Sequence, residues 1–494
     1  MLRALADPHG LHPSGAGRSA RRNRMRGLRS VAGFDARGSA FRRLGASGGA
    51  LSPPSRGERD GPGVVSSPTM QTLAADLVVT MKGETLAPGW VTVERGRILE
   101  VGEGRPPERP LELAAAAGPT VMLPGFVTAH AHLPLGGLRA LSTDRGFWSW
   151  IQEGVLPGIR ALEEDPAAFL HGARLSVEEL LRGGVTAVGD AFLRSEGVRA
   201  CRERGMGGVF FQEVFGSLAE DEDAYLEEIF TLFDRLEEET AGHPFGYSPH
   251  APWTCPPQVM SRVVARARSE GRRISIHLAE SREEDAFFKE ERGPIHELWL
   301  RRGILSRFAF GASPVQLLSD LGILGPEVLA VHCVRCDEED IGLLAAAGVH
   351  VVHCPVSNML LGEGVAPVHA MLEAGIPVCL GTDSTASTGR LDMFAEMRAF
   401  LQAQRALTGS REGLTGRRAL RMATLSGAEA LGLADHKGSL EAGKDADLMI
   451  VDLGSLASPW CGDLLDVLVH GADPGHVALV MSAGKVCFDR AARS

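Results

Sequence analysis

The chain has 494 residues, a formal net charge of −11 and 44% apolar residues. That is enough material for one large core and a smaller accessory one. No run of about 18 apolar residues marks a membrane span. After residue 70 the cationic side chains gather into no stripe that would follow a nucleic-acid backbone. The expected partner is a small molecule, with neither nucleic acid nor membrane, and assembly into a homo-oligomer stays open. Eight cysteines in a chain this long do not read as a disulfide framework, which points to a reducing cytoplasm.

Residues 1–69 are rich in Arg, Gly, Ser and Pro, poor in acids and without apolar period, so their composition predicts a disordered extension. They contain no apolar core of a secretory signal. Met70 leads straight into patterned sequence, and the reading favoured here is that Met70 is the true start. The runs LVVTM and WVTVERGRILEVG, within residues 70–118, alternate apolar and polar positions as short antiparallel strands do. LMIVDL and VALVMSAGKVCFD, within residues 438–494, alternate likewise around glycine turns. The two ends are expected to pair into one small β-sandwich. Between them, residues 119–437 carry eight apolar runs: VTAHAH, GVTAVGD, GVFFQEVF, FGYSPHAPW, RISIHLAES, VLAVHCV, HVVHCPVSN and PVCLGTDS. Amphipathic stretches separate them, which is the pattern of an α/β fold, a (β/α)8 TIM barrel. Asp165 and Pro166 read as the N-cap and first residue of the first long helix, which ends at Gly183-Gly184.

The chemistry starts in LPGFVTAHAHLPL. His130 and His132 stand two apart on a strand and therefore share a face. His277 closes the fifth run, His332 the sixth and Asp383 the eighth. Such a ring of nitrogen and oxygen donors at the barrel mouth suits a metal, and three imidazoles with one carboxylate leave a position for water. A divalent ion lowers the pKa of that water to roughly 7. Glu280, three residues after His277, reads equally well as a proton carrier or as the start of a helix.

TAHAHLPL, SIHLAES, VHCV, HCPVSNMLLGEGVAP and LGTDSTASTGRLDMFAEMR, with the closing GSLEAGKDADLMIVD, resemble the amidohydrolase superfamily. More narrowly they resemble its mononuclear branch of nucleoside and base deaminases and chlorohydrolases, from about residue 74 to 490. The resemblance implies that His130, His132, His277 and Asp383 hold the metal. It makes Glu280 the proton shuttle and His332 the residue that orients the nucleophile and touches substrate. Asp383 then also accepts the first proton. No Lys ends the fourth run, where two-metal members carry a bridging carbamylated lysine, so one divalent ion is implied, zinc ahead of iron. The implied reaction is hydrolytic deamination of an adenine-containing nucleoside such as aminodeoxyfutalosine, with deaminases of S-adenosylhomocysteine and methylthioadenosine as close relatives.

Trp150, Glu153, His250 and His332 are the implied substrate contacts. Gln152 stands where the branch places a ribose-gripping Glu, so Glu153 would have to serve through a shifted loop. Trp148 and Trp150 read more readily as packing of the barrel rim than as base-stacking surfaces. His353 reads as a buried, hydrogen-bonded core residue. The alternatives are a guanine- or triazine-type deaminase or chlorohydrolase and, in another class, a scaffold descended from hydrolases. A scaffold typically loses ligands, and all of them are present here.

Overall fold

The computed structural model describes residues 70–493, apart from 108, 112–117, 140, 142, 143, 145, 166, 193, 194, 240, 241, 459 and 460. The expected extension, residues 1–69, lies outside the described residues, as does Pro166.

Alternating sequence gives six strands before the barrel: β1 (Gln71–Ala75), β2 (Leu77–Val79), β3 (Thr85–Leu86), β4 (Gly89–Glu94), β5 (Arg97–Glu103) and β6 (Thr120–Pro124). Eight more follow: β7 (Phe126–Ala131), β8 (Val185–Phe192), β9 (Gly207–Val214), β10 (Phe245–Pro249), β11 (Ile274–Leu278), β12 (Val328–His332), β13 (His350–His353) and β14 (Val378–Leu380). The chain closes with β15 (Leu448–Asp452), β16 (Val477–Ser482) and β17 (Lys485–Asp489).

Strands β7 to β14 form one parallel sheet in sequence order, the eight runs read from the sequence. Parallel neighbours need crossover connections, and helices such as Ala168–Arg182, Pro257–Ser269 and Glu338–Ala347 supply them. The sheet closes where Ala131 bridges Asp383 and the Asp383 N–H donates to the His130 carbonyl at 3.1 Å. The architecture is a (β/α)8 barrel. Inside it, Val127, Ala129, Ala187, Val209, Phe211, Leu329 and Val331 form a packed core, closed from one end by Ala428 and Leu431 of the helix Leu425–Leu431. Outward-facing Phe126, Val188, Phe210 and Ile276 join the helices in a second core.

The remaining strands form two sheets, ordered β1-β4-β5 and β17-β16-β15-β6-β2-β3. Leu73, Val91 and Ile98 of the first pack against Met122, Leu448, Ile450 and Met481 of the second, a small β-sandwich built from both chain ends. The run Leu123–Leu135 is thus split between the two bodies: up to Pro124 it pairs with β15, and from Phe126 it lines the barrel. Gly125 makes the junction possible, since a Cβ there would lie 2.2 Å from the Thr186 Oγ1. The first long helix begins at Ala168, three residues past the expected cap, while Asp165 accepts the Ala167 N–H at 2.9 Å.

Candidate metal centre and active site

All the strand-end residues singled out in the sequence stand at the C-terminal mouth of the barrel. His130, His277 and His332 form one group whose ligand atoms lie within 4.8 Å of one another, and His130, His132 and Asp383 form another. The Nε2 atoms of His132 and His277 face each other at 3.4 Å, and His132 Nε2 is 3.7 Å from an Asp383 oxygen.

Hydrogen bonds behind these rings settle which nitrogen is free. His132 Nδ1 is 2.7 Å from the Ala191 carbonyl and His277 Nδ1 is 2.9 Å from the His250 carbonyl, so each Nδ1 carries the proton and each Nε2 a lone pair. His130 Nε2 is buried without a hydrogen-bond partner among the described residues. Burial lowers the pKa of His130, His132 and His277, and for His130 and His277 the neighbouring imidazoles lower it further. Neutral imidazoles with convergent lone pairs, one of them orphaned, are what a divalent cation requires, so the residues present fit a metal.

Asp383 accepts the Ser357 hydroxyl at 2.5 Å and the Ser387 hydroxyl at 3.0 Å through Oδ2, leaving Oδ1 toward His132. His332 Nδ1 is 2.9 Å from Asn358 Oδ1, which as an acceptor fixes the proton there, and His332 Nε2 lies 3.5 Å from a Glu280 oxygen. Glu280 is buried, and burial first, then Asp383 and neighbouring glutamates, push its carboxyl well above the usual range. Ala279, His332 and Asp383 adopt positive φ of 50°, 75° and 53°. Left-handed backbone at a non-glycine residue costs about 1–3 kcal/mol, and it gathers here at three strand ends that carry candidate chemistry.

Among the expected substrate contacts, His250 is half-buried, stacked on Phe215 at 4.5 Å, with Nδ1 2.8 Å from the Thr254 hydroxyl. Burial, then His132 and His332, bring its pKa to about 3. Trp150 lies in the π-helical turn Trp150–Val155, its indole N–H donating to the Ala386 carbonyl at 3.1 Å. Trp148 packs 6.3 Å from Trp253, in an aromatic cluster with Phe287 and Trp299. Glu153 is exposed. His353 is buried as expected, but neither ring nitrogen has a hydrogen-bond partner among the described residues, which corrects the hydrogen-bonded reading.

Sequence reasoning passed over several residues here. Glu213, at the end of GVFFQEVF, forms a third group with His132 and His277. It is an ionisable residue near the C-terminal end of an apolar run, as His277 and His332 are, and that signal could have found it. Asn358 and Ser357 offered none, because they act by orienting residues on other strands. Cys333 and Cys336 form a C-x-x-C pair not singled out in arguing against a disulfide framework. Both are buried free thiols; a hydrogen bond with Cys333 and burial hold the Cys336 thiol well above its ordinary range. It is a poor nucleophile on that account.

A barrel whose mouth gathers neutral imidazoles and carboxylates around one point is the frame of a metal-dependent hydrolase. Residues 121–487 match the amidohydrolase family, and the chain belongs to it, as a hydrolytic enzyme acting on carbon–nitrogen bonds. It is 34% identical over 417 residues to a 5-methylthioadenosine/S-adenosylhomocysteine deaminase of Moorella thermoacetica, covering 84% of this chain and 92% of that protein. It is 32% identical over 404 residues to a 5'-deoxyadenosine deaminase of Methanosarcina barkeri, covering 81% and 88%. The crystal structure of an adenosine deaminase from Xanthomonas campestris with bound zinc superimposes with a TM-score of 0.72 at 28% identity, over 84% of this chain and 92% of that one. A zinc complex of atrazine chlorohydrolase from Arthrobacter aurescens has the same TM-score at 23% identity, over 85% and 95%, a likeness of fold. Among the described residues no helix is long and apolar enough to cross a membrane.

Proposed function

We propose that the protein deaminates an adenine nucleoside hydrolytically, with one zinc ion held by His130, His132, His277 and Asp383. The observation that carries this reading is the buried Glu280 carboxyl 3.5 Å from His332 Nε2, at the same mouth as the clustered nitrogens of His130, His132 and His277, with burial favouring its protonated form. The deaminase relatives support the nucleoside class. The absence of lysine from the SPHAPW run supports one ion over two.

When bound, the metal supplies an acidified water at neutral pH. Asp383, its Oδ2 held by two serine hydroxyls, keeps Oδ1 available to accept a proton from the attacking water. Glu280 donates its proton to the ring nitrogen beside the attacked carbon, a transfer that needs a carboxyl still protonated near neutrality. His332, its proton tied to Asn358, presents a lone pair that orients the water and contacts substrate. The exocyclic amine takes up the proton that Asp383 accepted and leaves as ammonia, the water's second proton restores Glu280, and the water's oxygen stays on the ring carbon.

The test is ammonia release from the purified holoenzyme on a panel of adenosine, 5'-deoxyadenosine, methylthioadenosine, S-adenosylhomocysteine and aminodeoxyfutalosine, with metal analysis on the same preparation. Turnover of at least one nucleoside with about one zinc per chain is expected. Chloride release from a chlorotriazine with no nucleoside turnover would overturn the reading.

A further inference from the structure

The proton-transfer scheme leaves Glu213 unused. It stands on the inner face of β9: Val209 and Phe211 line the interior of the barrel, and a residue two further along a strand points the same way. Glu213 therefore crowns that row at the mouth, 4% exposed, with its carboxylate within 4.8 Å of both His132 and His277 nitrogens.

The two carboxylates that act on it electrostatically have donors: Asp190 accepts the Leu133 N–H at 2.8 Å, and Asp383 the Ser357 and Ser387 hydroxyls at 2.5 Å and 3.0 Å. The Glu213 side chain has no hydrogen bond among the described residues. Its nearest cation-forming neighbour, His132 Nδ1, is 3.9 Å away, and the one proton on that nitrogen already goes to the Ala191 carbonyl at 2.7 Å. A buried carboxyl without a donor costs about 1–3 kcal/mol or more, and this one sits at the C-terminal mouth, the face at which barrels of this kind take their ligands. Burial, then Asp190 and Asp383, raise its pKa well above the usual carboxylate range, and its carbonyl oxygen still lacks a donor, which substrate can supply.

In an adenine nucleoside the donors are the exocyclic amine and the sugar hydroxyls. The amine belongs to the reacting carbon, which Asp383 and Glu280 attend. We propose that Glu213 is a specificity residue that accepts a hydrogen bond from a sugar hydroxyl of the nucleoside, a reading that rests on the deaminase function above.

The test is steady-state kinetics of the zinc-loaded wild type, Glu213→Ala and Glu213→Gln on adenosine, 2'-deoxyadenosine and 3'-deoxyadenosine, with metal content and adenosine binding by calorimetry. Leaving a bound hydroxyl without its buried acceptor predicts a roughly tenfold to hundredfold rise in KM and in the calorimetric dissociation constant for adenosine in Glu213→Ala. The fall in kcat should be much smaller. Wild type should lose a similar factor on whichever deoxy analogue lacks the contacted hydroxyl, and Glu213→Ala should lose little more on that analogue. Equal losses on all three substrates, or an unchanged KM, would overturn the assignment while leaving the deaminase reading intact. Loss of zinc from both variants would make Glu213 part of the metal centre and also overturn it. If wild type acts on no nucleoside, the deaminase reading falls and the Glu213 assignment falls with it.

Discussion

At the scale of single residues, substitutions of Glu280 and Asp383 test whether proton transfer and metal holding are separate. Glu280→Gln removes the proton but not the shape, so zinc content should stay near wild type while kcat drops about a hundredfold to ten-thousandfold. Asp383→Asn removes an anion that faces His132 and should lower zinc content and kcat together. Metal analysis beside kinetics distinguishes them, and equal zinc loss in both would make Glu280 a ligand. The residues proposed for this chemistry were legible in the sequence, and the structure brings their side chains together at one mouth. Asn358, which orients His332 from 26 residues away in sequence, was not, because its role exists only once β12 and the helix Pro355–Leu360 are side by side. His353 makes a separate prediction. Its pKa is lowered from 6.5 to about 3 by burial and by His332, so below pH 6.5 the unfolded chain binds a proton that the native state excludes. Its contribution is fully present above 6.5 and is lost as pH falls toward 3, by about 1.4 kcal/mol per pH unit. Urea midpoints between pH 7 and 4.5 should fall less steeply in His353→Met than in wild type; parallel slopes would show that His353 does not titrate this way.

At the scale of elements, the eight apolar runs correspond to the eight barrel strands because parallel strands buried on both faces must be nearly continuous apolar sequence. Their ends were less legible. β14 stops at Leu380, and Asp383 reaches the mouth three residues later through a left-handed residue bridged to Ala131. That geometry follows from closing the sheet, which no local pattern encodes. The exit from β11 is built the same way: Ala279 turns left-handed, Ser281 caps the helix Arg282–Glu290, and the Glu284 carboxylate accepts the Glu280 N–H at 2.8 Å. Glu284 is thus a positioning residue for Glu280. Glu284→Ala should reduce kcat roughly tenfold to a hundredfold, the scale of an ångström of misplacement, with KM and zinc little changed. Glu284→Gln keeps an accepting oxygen and should restore most of the rate. If Glu284→Ala only lowers the melting temperature, the residue is a helix cap and nothing more.

Across the whole molecule, the barrel separates a mouth that carries the chemistry from an opposite end that is free to serve stability. Lys437 marks that second end. Lys437 is 8% exposed, its ammonium lies 2.5 Å from Asp447 and 3.3 Å from Asp445, and a Cβ on Gly207, where β9 begins, would come 2.8 Å from the Lys437 Cε. Asp447 also accepts the Ala483 N–H at 2.7 Å, and its carbonyl accepts the Gly125 N–H at 3.1 Å. One buried ion pair therefore joins the start of β9, the entry to β15, the turn between β16 and β17, and the junction of sandwich and barrel. Removing one partner of a buried pair leaves the other uncompensated, at about 3–5 kcal/mol. Lys437→Met should lower the urea unfolding free energy by that amount, and adding Asp447→Asn should recover much of it, because the stranded charge is gone. Neither change touches the mouth, so zinc per folded chain and kcat at a temperature where the variants are folded should match wild type. A loss of kcat in the folded single variant would mean that the two ends of the barrel are coupled; a cost below about 1 kcal/mol, the level of a surface pair, would mean that the pair is effectively solvated.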